Sequence, residues 1–313
     1  MAANKMQLSG VVAVVPVPFG PDEEIDKPAP RRLIAFASNI GLSAICLPAY
    51  GGEFYKLSDE ERLSVVEVAV DEAAGRTLVI AQSNHGSAKV AASLARKNIA
   101  AGADLISLAI PRQFVVSDDS LQRYLSTVFD SVEVPCLLQD FNPGGPTVGV
   151  DFLVNLKSRC SNLNYVKLEE PLMAGKVAAI REALHDEVGI LEGWGGLYLM
   201  ELMDVGICGL MPGLGMADLL NRIYQWRRAG RTADALALFR RLLPHIVYSL
   251  QNIELFLYCE KRLLQARGLL PNALCRTPAY AVSSYEERYV EGLNSAVLQA
   301  IDDVSGDEIA STA

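Results

Sequence analysis

The sequence predicts an α/β fold, a (β/α)8 TIM barrel with a C-terminal helical extension, and three observations carry the prediction. Eight short apolar runs rich in β-branched residues alternate with amphipathic, helix-like stretches. The units recur about every 30 residues, which is the usual size of one strand and helix in a closed barrel. A chain of 313 residues, half of them apolar and without a linker-like or low-complexity stretch, has the material for one large core. An open doubly wound parallel sheet is the alternative.

Taken in order, the expected strands are 11–15, 44–48, 78–81, 105–109, 135–138, 165–168, 189–191 and 207–211. Between them, a helix over 59–73 follows Ser58 as N-cap, and another over 87–101 starts at a capping Ser87 and stops at Gly102. Beyond Met211 the pattern turns to long helices, 217–229, 232–249 and 253–267, closed by Gly268 and Pro271, with a last helix over 284–304. This is more helix than a final barrel unit needs. The expected organisation is therefore a catalytic barrel over 1–216 and C-terminal helices over 217–313 packed on it, with a fraying tail at 305–313.

Charge excludes some functions. With 28 basic and 37 acidic residues the net charge is -9, the wrong sign for neutralising phosphates, so nucleic acid is not an expected partner. No apolar run is long enough to cross a membrane, and residues 1–10 carry only Lys5 and lack a secretory pattern, so a cytoplasmic protein is expected. The six cysteines are scattered through apolar stretches and read as buried free thiols.

Neither a G-x-S-x-G elbow, an H-E-x-x-H helix nor a G-x-x-x-x-G-K loop is present. None of the three histidines has a metal-ligand neighbour, so no metal is expected. His185 and His245 lie in helical stretches, whereas His85 follows the third strand, where a barrel presents loop residues to its active face. His85 is equally compatible with a structural role. Gly193-Trp194-Gly195-Gly196 follows the seventh strand, so Gly195 is a place where an anion could approach the backbone, or simply part of a tight turn.

The sixth strand is the most informative. Alternation puts Tyr165, Lys167 and Glu169 on one side, and Val166 and Leu168 on the other. If the aliphatic side meets the helices, Lys167 points into the barrel. Loss of hydration there favours a neutral amine, the nucleophile for a Schiff base with a carbonyl substrate. The other reading is a strand-end lysine paired with Glu169 or Glu170. On the fifth strand, Gln139 shares a side with Leu137 and can bond a substrate hydroxyl or water, but it cannot act as a base; the other reading is a residue that caps the strand end.

These residues resemble the dihydrodipicolinate synthase and N-acetylneuraminate lyase family of class I Schiff-base lyases. Val17-Pro18-Phe19 with Glu24-Ile25-Asp26 is similar to the family's opening T-P-F and acidic element. Gly51-Gly52-Glu53-Phe54 and Leu57-Ser58-Asp59-Glu60-Glu61-Arg62 resemble G-T-T-G-E and L-S-x-x-E-R, and Lys167-Leu168-Glu169 resembles the K-x-E of the imine-forming lysine. The departures matter equally. Ala49-Tyr50-Gly51-Gly52 replaces the tandem threonines, Pro111-Arg112-Gln113 replaces P-Y-Y, and Gln139-Asp140-Phe141-Asn142-Pro143 replaces Y-N-x-P. Both relay tyrosines are missing, and Gln139 with Glu169 resembles the 2-keto-3-deoxyarabonate dehydratase branch.

The resemblance implies a hydro-lyase acting on a small 2-keto acid, specifically a 2-keto-3-deoxy sugar acid, without a cofactor and as a homotetramer. Lys167, Glu169 and Gln139 would be catalytic, while Tyr50, Gly51, Gly52, His85 and Gly195 would bind substrate. Alternatives are a retro-aldolase yielding pyruvate, a deaminating lyase on a cyclic imino acid, and a non-catalytic keto-acid-binding barrel.

Overall fold

The computed structural model describes residues 8–112, 115–142 and 145–312, the side chains of 306–312 excepted. Lys5, Gln113 and Pro143 lie outside these residues. Eight parallel strands close into a barrel in sequence order, each hydrogen-bonded to its neighbours, with β1 meeting β8. They are β1 (Gly10–Val14), β2 (Ala44–Leu47), β3 (Leu78–Gln82), β4 (Leu105–Ala109), β5 (Cys136–Phe141), β6 (Leu163–Glu169), β7 (Gly189–Glu192) and β8 (Gly209–Leu210). The outer helices are α1 (Pro28–Asn39), α2 (Asp59–Ala73), α3 (Ala88–Ala100), α4 (Asp118–Phe129), α5 (Val150–Arg159), α6 (Met173–Leu184), α7 (Leu199–Val205) and α8 (Ala217–Arg228). Beyond them lie α9 (Thr232–Ser249), α10 (Ile253–Ala266) and α11 (Ser284–Thr312).

Period two explains the two cores. Val12, Cys46, Ile80, Leu105, Leu137 and Leu191 pack inside the barrel, while Ala13, Ile45, Val79, Ile106, Leu138, Val166, Leu168 and Ile190 meet the helices. The aliphatic side of β6 therefore faces outward and Lys167 inward. Tyr165 closes the lower barrel, its hydroxyl accepting from the Leu8 N–H at 2.9 Å.

Four differences from the sequence reading have physical reasons. β5 continues beyond Leu138 through the polar pair Gln139-Asp140, because their side chains find partners: Asp140 accepts from Val148 N at 2.7 Å and from Arg112 at 2.6 Å. Ser87 occupies the N-cap of α3 but its side chain makes no capping bond; its N–H donates instead to His85 Nδ1 at 2.9 Å. The residues from 305, expected to fray, continue α11 to Thr312. The helix α8 after the expected boundary at 216/217 packs against β1 as the eighth outer helix, so the extra elements begin at α9. Helix α2 has the expected bounds, with Ser58 and Glu61 forming a reciprocal capping box. All six cysteines are free, with Cys208 and Cys275 only partly buried.

Candidate active site

Register brings the polar residues of neighbouring strands together at the C-terminal mouth. Gln139 on β5 lies directly opposite Lys167 on β6, and Phe141 opposite Glu169. Lys167 Nζ sits 2.7 Å from Glu169 Oε1, with both residues less than a tenth exposed. Gln139 Nε2 donates to both Glu169 oxygens at 3.2 and 3.0 Å. The oxygen of the same amide accepts from Gln82 Nε2 of β3 at 2.6 Å, so a buried chain runs from Gln82 through Gln139 to Glu169 and Lys167. The ion pair considered as the alternative for Lys167 exists, but it lies inside the barrel. Glu170 instead pairs with Lys176 at 2.9 Å.

Lys167, Glu169 and Gln139 open onto a cavity of about 310 Å³, within the range of a small-metabolite site. Tyr50 and Gly51 line it from a 3-10 turn at Tyr50–Gly52 that follows β2, and such a turn begins with amide N–H groups that it does not itself use. The Tyr50 ring packs on Phe141, centroids 4.9 Å apart. Gly193 and Gly195 line it after β7, and residues 250–256, between α9 and the first turn of α10, cover its outer side. At Gly193 a Cβ would stand 2.4 Å from Glu169 Cγ and 2.8 Å from Lys167 Cε, so the bare backbone makes room for the pair. Gly195 holds φ at 62°, in the left-handed region.

Two expected ligand residues do not reach the cavity. His85 is exposed, its Nδ1 is engaged by Ser87 N, and its carbonyl accepts from Tyr124. Gly52 is buried behind Gly51, where a Cβ would meet Val15 O at 2.9 Å. Sequence reasoning missed Gln82 and the 250–256 wall, and it read the run containing Gly193 as a tight turn or a place of anion approach rather than as room for the Lys167–Glu169 pair. For Gln82 a signal existed, since Leu78, Ile80 and Gln82 alternate onto the inward side of β3. For the 250–256 wall there was no local signal.

Burial sets the electrostatics. It pushes the Glu169 carboxyl above its ordinary value, opposed by the charge and hydrogen bond of Lys167 and by the Gln139 amide. Burial and the negative charge of Glu169 together push the Tyr50 phenol up. Behind the site, Glu192 accepts from the N–H groups of Trp194 and Gly196 at 3.0 and 2.8 Å, and burial pushes it up to about 7. Glu260 of α10 similarly accepts from Gly215 N at 2.6 Å and is pushed up to about 7. Among the described residues no group of three or more His, Cys, Asp or Glu side chains is arranged to hold a metal ion.

Comparison with known proteins gives one consistent answer. The Dihydrodipicolinate synthetase family matches residues 7–297. The L-2-keto-3-deoxyarabonate dehydratase of Azospirillum brasilense is 26% identical over 276 residues, covering 86% of this chain and 88% of that protein. The 4-hydroxy-tetrahydrodipicolinate synthase of Xanthomonas campestris pv. campestris is 29% identical over 287 residues, 88% and 93% of the two chains. The crystal structure of dihydrodipicolinate synthase from Rhodopseudomonas palustris superposes with a TM-score of 0.87 at 26% identity, covering 93% of this chain and 98% of that one.

Proposed function

The chain belongs to the dihydrodipicolinate synthetase family of lyases, and from that premise we propose that it is a Schiff-base hydro-lyase dehydrating a 2-keto-3-deoxy sugar acid. The observation that carries this is the pairing of Glu169 with Lys167 at 2.7 Å, beside an amide at position 139. The lysine amine attacks the keto carbon, C2, and one water leaves as the iminium forms. The iminium acidifies the C3 protons, and Glu169, made more basic by burial, takes one of them to give an enamine. The enamine electrons form the C3–C4 double bond as the C4–O bond breaks, and the departing hydroxide recovers the proton from Glu169. Hydrolysis of the imine consumes one water and frees Lys167, so the net change is loss of one water from C3 and C4.

Retro-aldol cleavage instead needs a base for the C4 hydroxyl. Gln139 cannot be that base, while its donated bonds hold Glu169 in place. The substrate carboxylate is assigned to the amides at the start of the Tyr50–Gly52 turn. The dehydratase relative supports the same reading.

The test is intact-mass analysis after borohydride treatment with pyruvate, together with product analysis on 2-keto-3-deoxy acids. The expected result is a ligand-sized mass at Lys167 that Lys167→Ala abolishes, and an unsaturated or rearranged keto acid as product. Glu169→Gln should keep the trapped imine while losing turnover by roughly 10²–10⁴-fold, the usual contribution of a positioned proton-transfer group. Labelling at Lys157 or Lys176, or pyruvate as the main product, would overturn the assignment.

A further inference from the structure

The amide that holds Glu169 is itself held from a third strand. We propose that Gln82 is a positioning residue: by donating to Gln139 Oε1 it decides which end of the Gln139 amide meets Glu169, and so keeps that carboxylate supplied with N–H groups and ready to take a proton. This rests on the reading that Glu169 moves the C3 proton of a Lys167 imine. A primary amide is a donor at one end and an acceptor at the other, so its direction matters. Gln82 Nε2 donates to Gln139 Oε1 at 2.6 Å, which turns Gln139 Nε2 the other way, where it donates to both oxygens of Glu169 at 3.2 and 3.0 Å. Reversed, the chain would set an amide oxygen against the carboxylate. Gln82 Oε1 is buried without a partner among the described residues, so the unmatched acceptor lies at the end of the chain farthest from Glu169. Gln82 itself does not line the cavity.

Burial pushes the Glu169 carboxyl up and the Asp140 charge adds to that, while Lys167 and the Gln139 amide oppose them. The other titratable groups beside the pair are Cys46 of β2, Tyr50 and Glu192 of β7, and burial pushes each toward its neutral form. Arg62 of α2 donates to the backbone oxygen of Gln82, at 3.3 Å. All of these groups are common to the wild type and to variants at position 82, so a difference between their pH profiles reports on Glu169. Without the Gln82 donor the Gln139 amide is free to turn over, and a carboxylate that loses its amide donor holds its proton more tightly. Glu169 must be ionised to act as a base, so its rate falls as pH drops, and a raised carboxyl moves that fall to higher pH. One hydrogen bond to a charged group sets the scale at about one pH unit, or about 10-fold in rate on the acid side.

The test follows the methyl protons of pyruvate as they exchange for deuterium in D2O, by NMR across pH, beside borohydride trapping. In this exchange Glu169 takes a methyl proton from the Lys167 iminium, and the enamine so formed recovers a deuteron that solvent has supplied to Glu169; Glu169→Gln gives the baseline. Gln82→Met should trap at the wild-type rate, while the acid limb of its exchange profile moves up by about one pH unit. Gln82→Glu keeps the shape of the side chain. Protonated, its O–H donates to Gln139 Oε1 and exchange should match the wild type; ionised, it accepts from Gln139 Nε2, and exchange should fall with rising pH where the wild type is level. In a Gln139→Met background, Gln82→Met should have no further effect, because the two residues act as one unit. Wild-type profiles in both single variants, an equal and pH-independent loss of trapping and exchange, or an additive effect in the double variant would each overturn this inference and leave Glu169 as the base. Wild-type exchange no faster than in Glu169→Gln would overturn the role of Glu169, and this inference with it.

Discussion

Gly193→Ala adds one methyl group where the lysine and its carboxylate are closest to β7. The new Cβ would stand 2.4 Å from Glu169 Cγ and 2.8 Å from both Lys167 Cε and the Leu168 carbonyl oxygen. Carbon atoms pack comfortably at about 3.5–4.0 Å, so the overlap with Glu169 exceeds 1 Å. The end of β7 cannot simply recede, because Gly193 N donates to that same Leu168 carbonyl at 2.8 Å. Backbone strain is not the issue, since only packing opposes alanine here. The displacement must fall on Glu169 and Lys167, and a misplacement of about 1 Å costs roughly 10²-fold in reactivity. Overpacking of this kind costs about 1–3 kcal/mol in stability. The assay is the rate of imine trapping with pyruvate and borohydride, followed by intact mass, alongside chemical denaturation. Gly292→Ala, at a helical glycine with nothing within 4 Å, is the control and should trap at the wild-type rate. Wild-type trapping in Gly193→Ala would refute the claim that this glycine makes room for the catalytic pair.

Three further outcomes are expected. Glu260 rises from an ordinary 4.5 to about 7 through burial, so the folded state holds its proton more tightly than the unfolded chain. Its contribution is present below pH 4.5 and is lost as pH rises through about 7, on the order of 3 kcal/mol; Glu260→Gln should flatten the fall in denaturation midpoint between pH 5 and pH 8. Lys261→Met removes one cation from the fully buried Glu53 and should destabilise by about 3–5 kcal/mol, part of which the double variant with Glu53→Gln should recover; a neutral single variant would contradict the pairing. Light scattering at micromolar concentration should give four times the single-chain mass, and a single-chain mass would count against the tetramer.

What the sequence discloses about this molecule depends on whether the cause is local. The strands were legible because β-branched, apolar runs need the two-sided burial a parallel barrel provides, and the inward aim of Lys167 followed from alternation with Val166 and Leu168. The same rule read further would have found Gln82, an amide on the inward side of β3 that is only 1% exposed. The sequence ends β5 early because Gln139 and Asp140 look like a strand end until their partners are known, and those partners, Glu169 on β6 and Arg112 in the loop after β4, lie outside the strand. Gly193 shows the harder limit. In a Gly-Trp-Gly-Gly run a glycine needed for a turn and one needed for close approach look alike, and the difference is made by Lys167 and Glu169 on the neighbouring strand. The 250–256 wall is further still from local cause. It is placed by Glu254 and Lys261 pairing with Lys56 and Glu53 about 200 residues away. The proposed catalytic pair thus lies along one strand, whereas the outer wall of the cavity beside it is placed by contacts between residues about 200 apart. Substitutions at Lys167 or Glu169 should consequently change whether reaction occurs, and substitutions along α10 should change which substrate reacts.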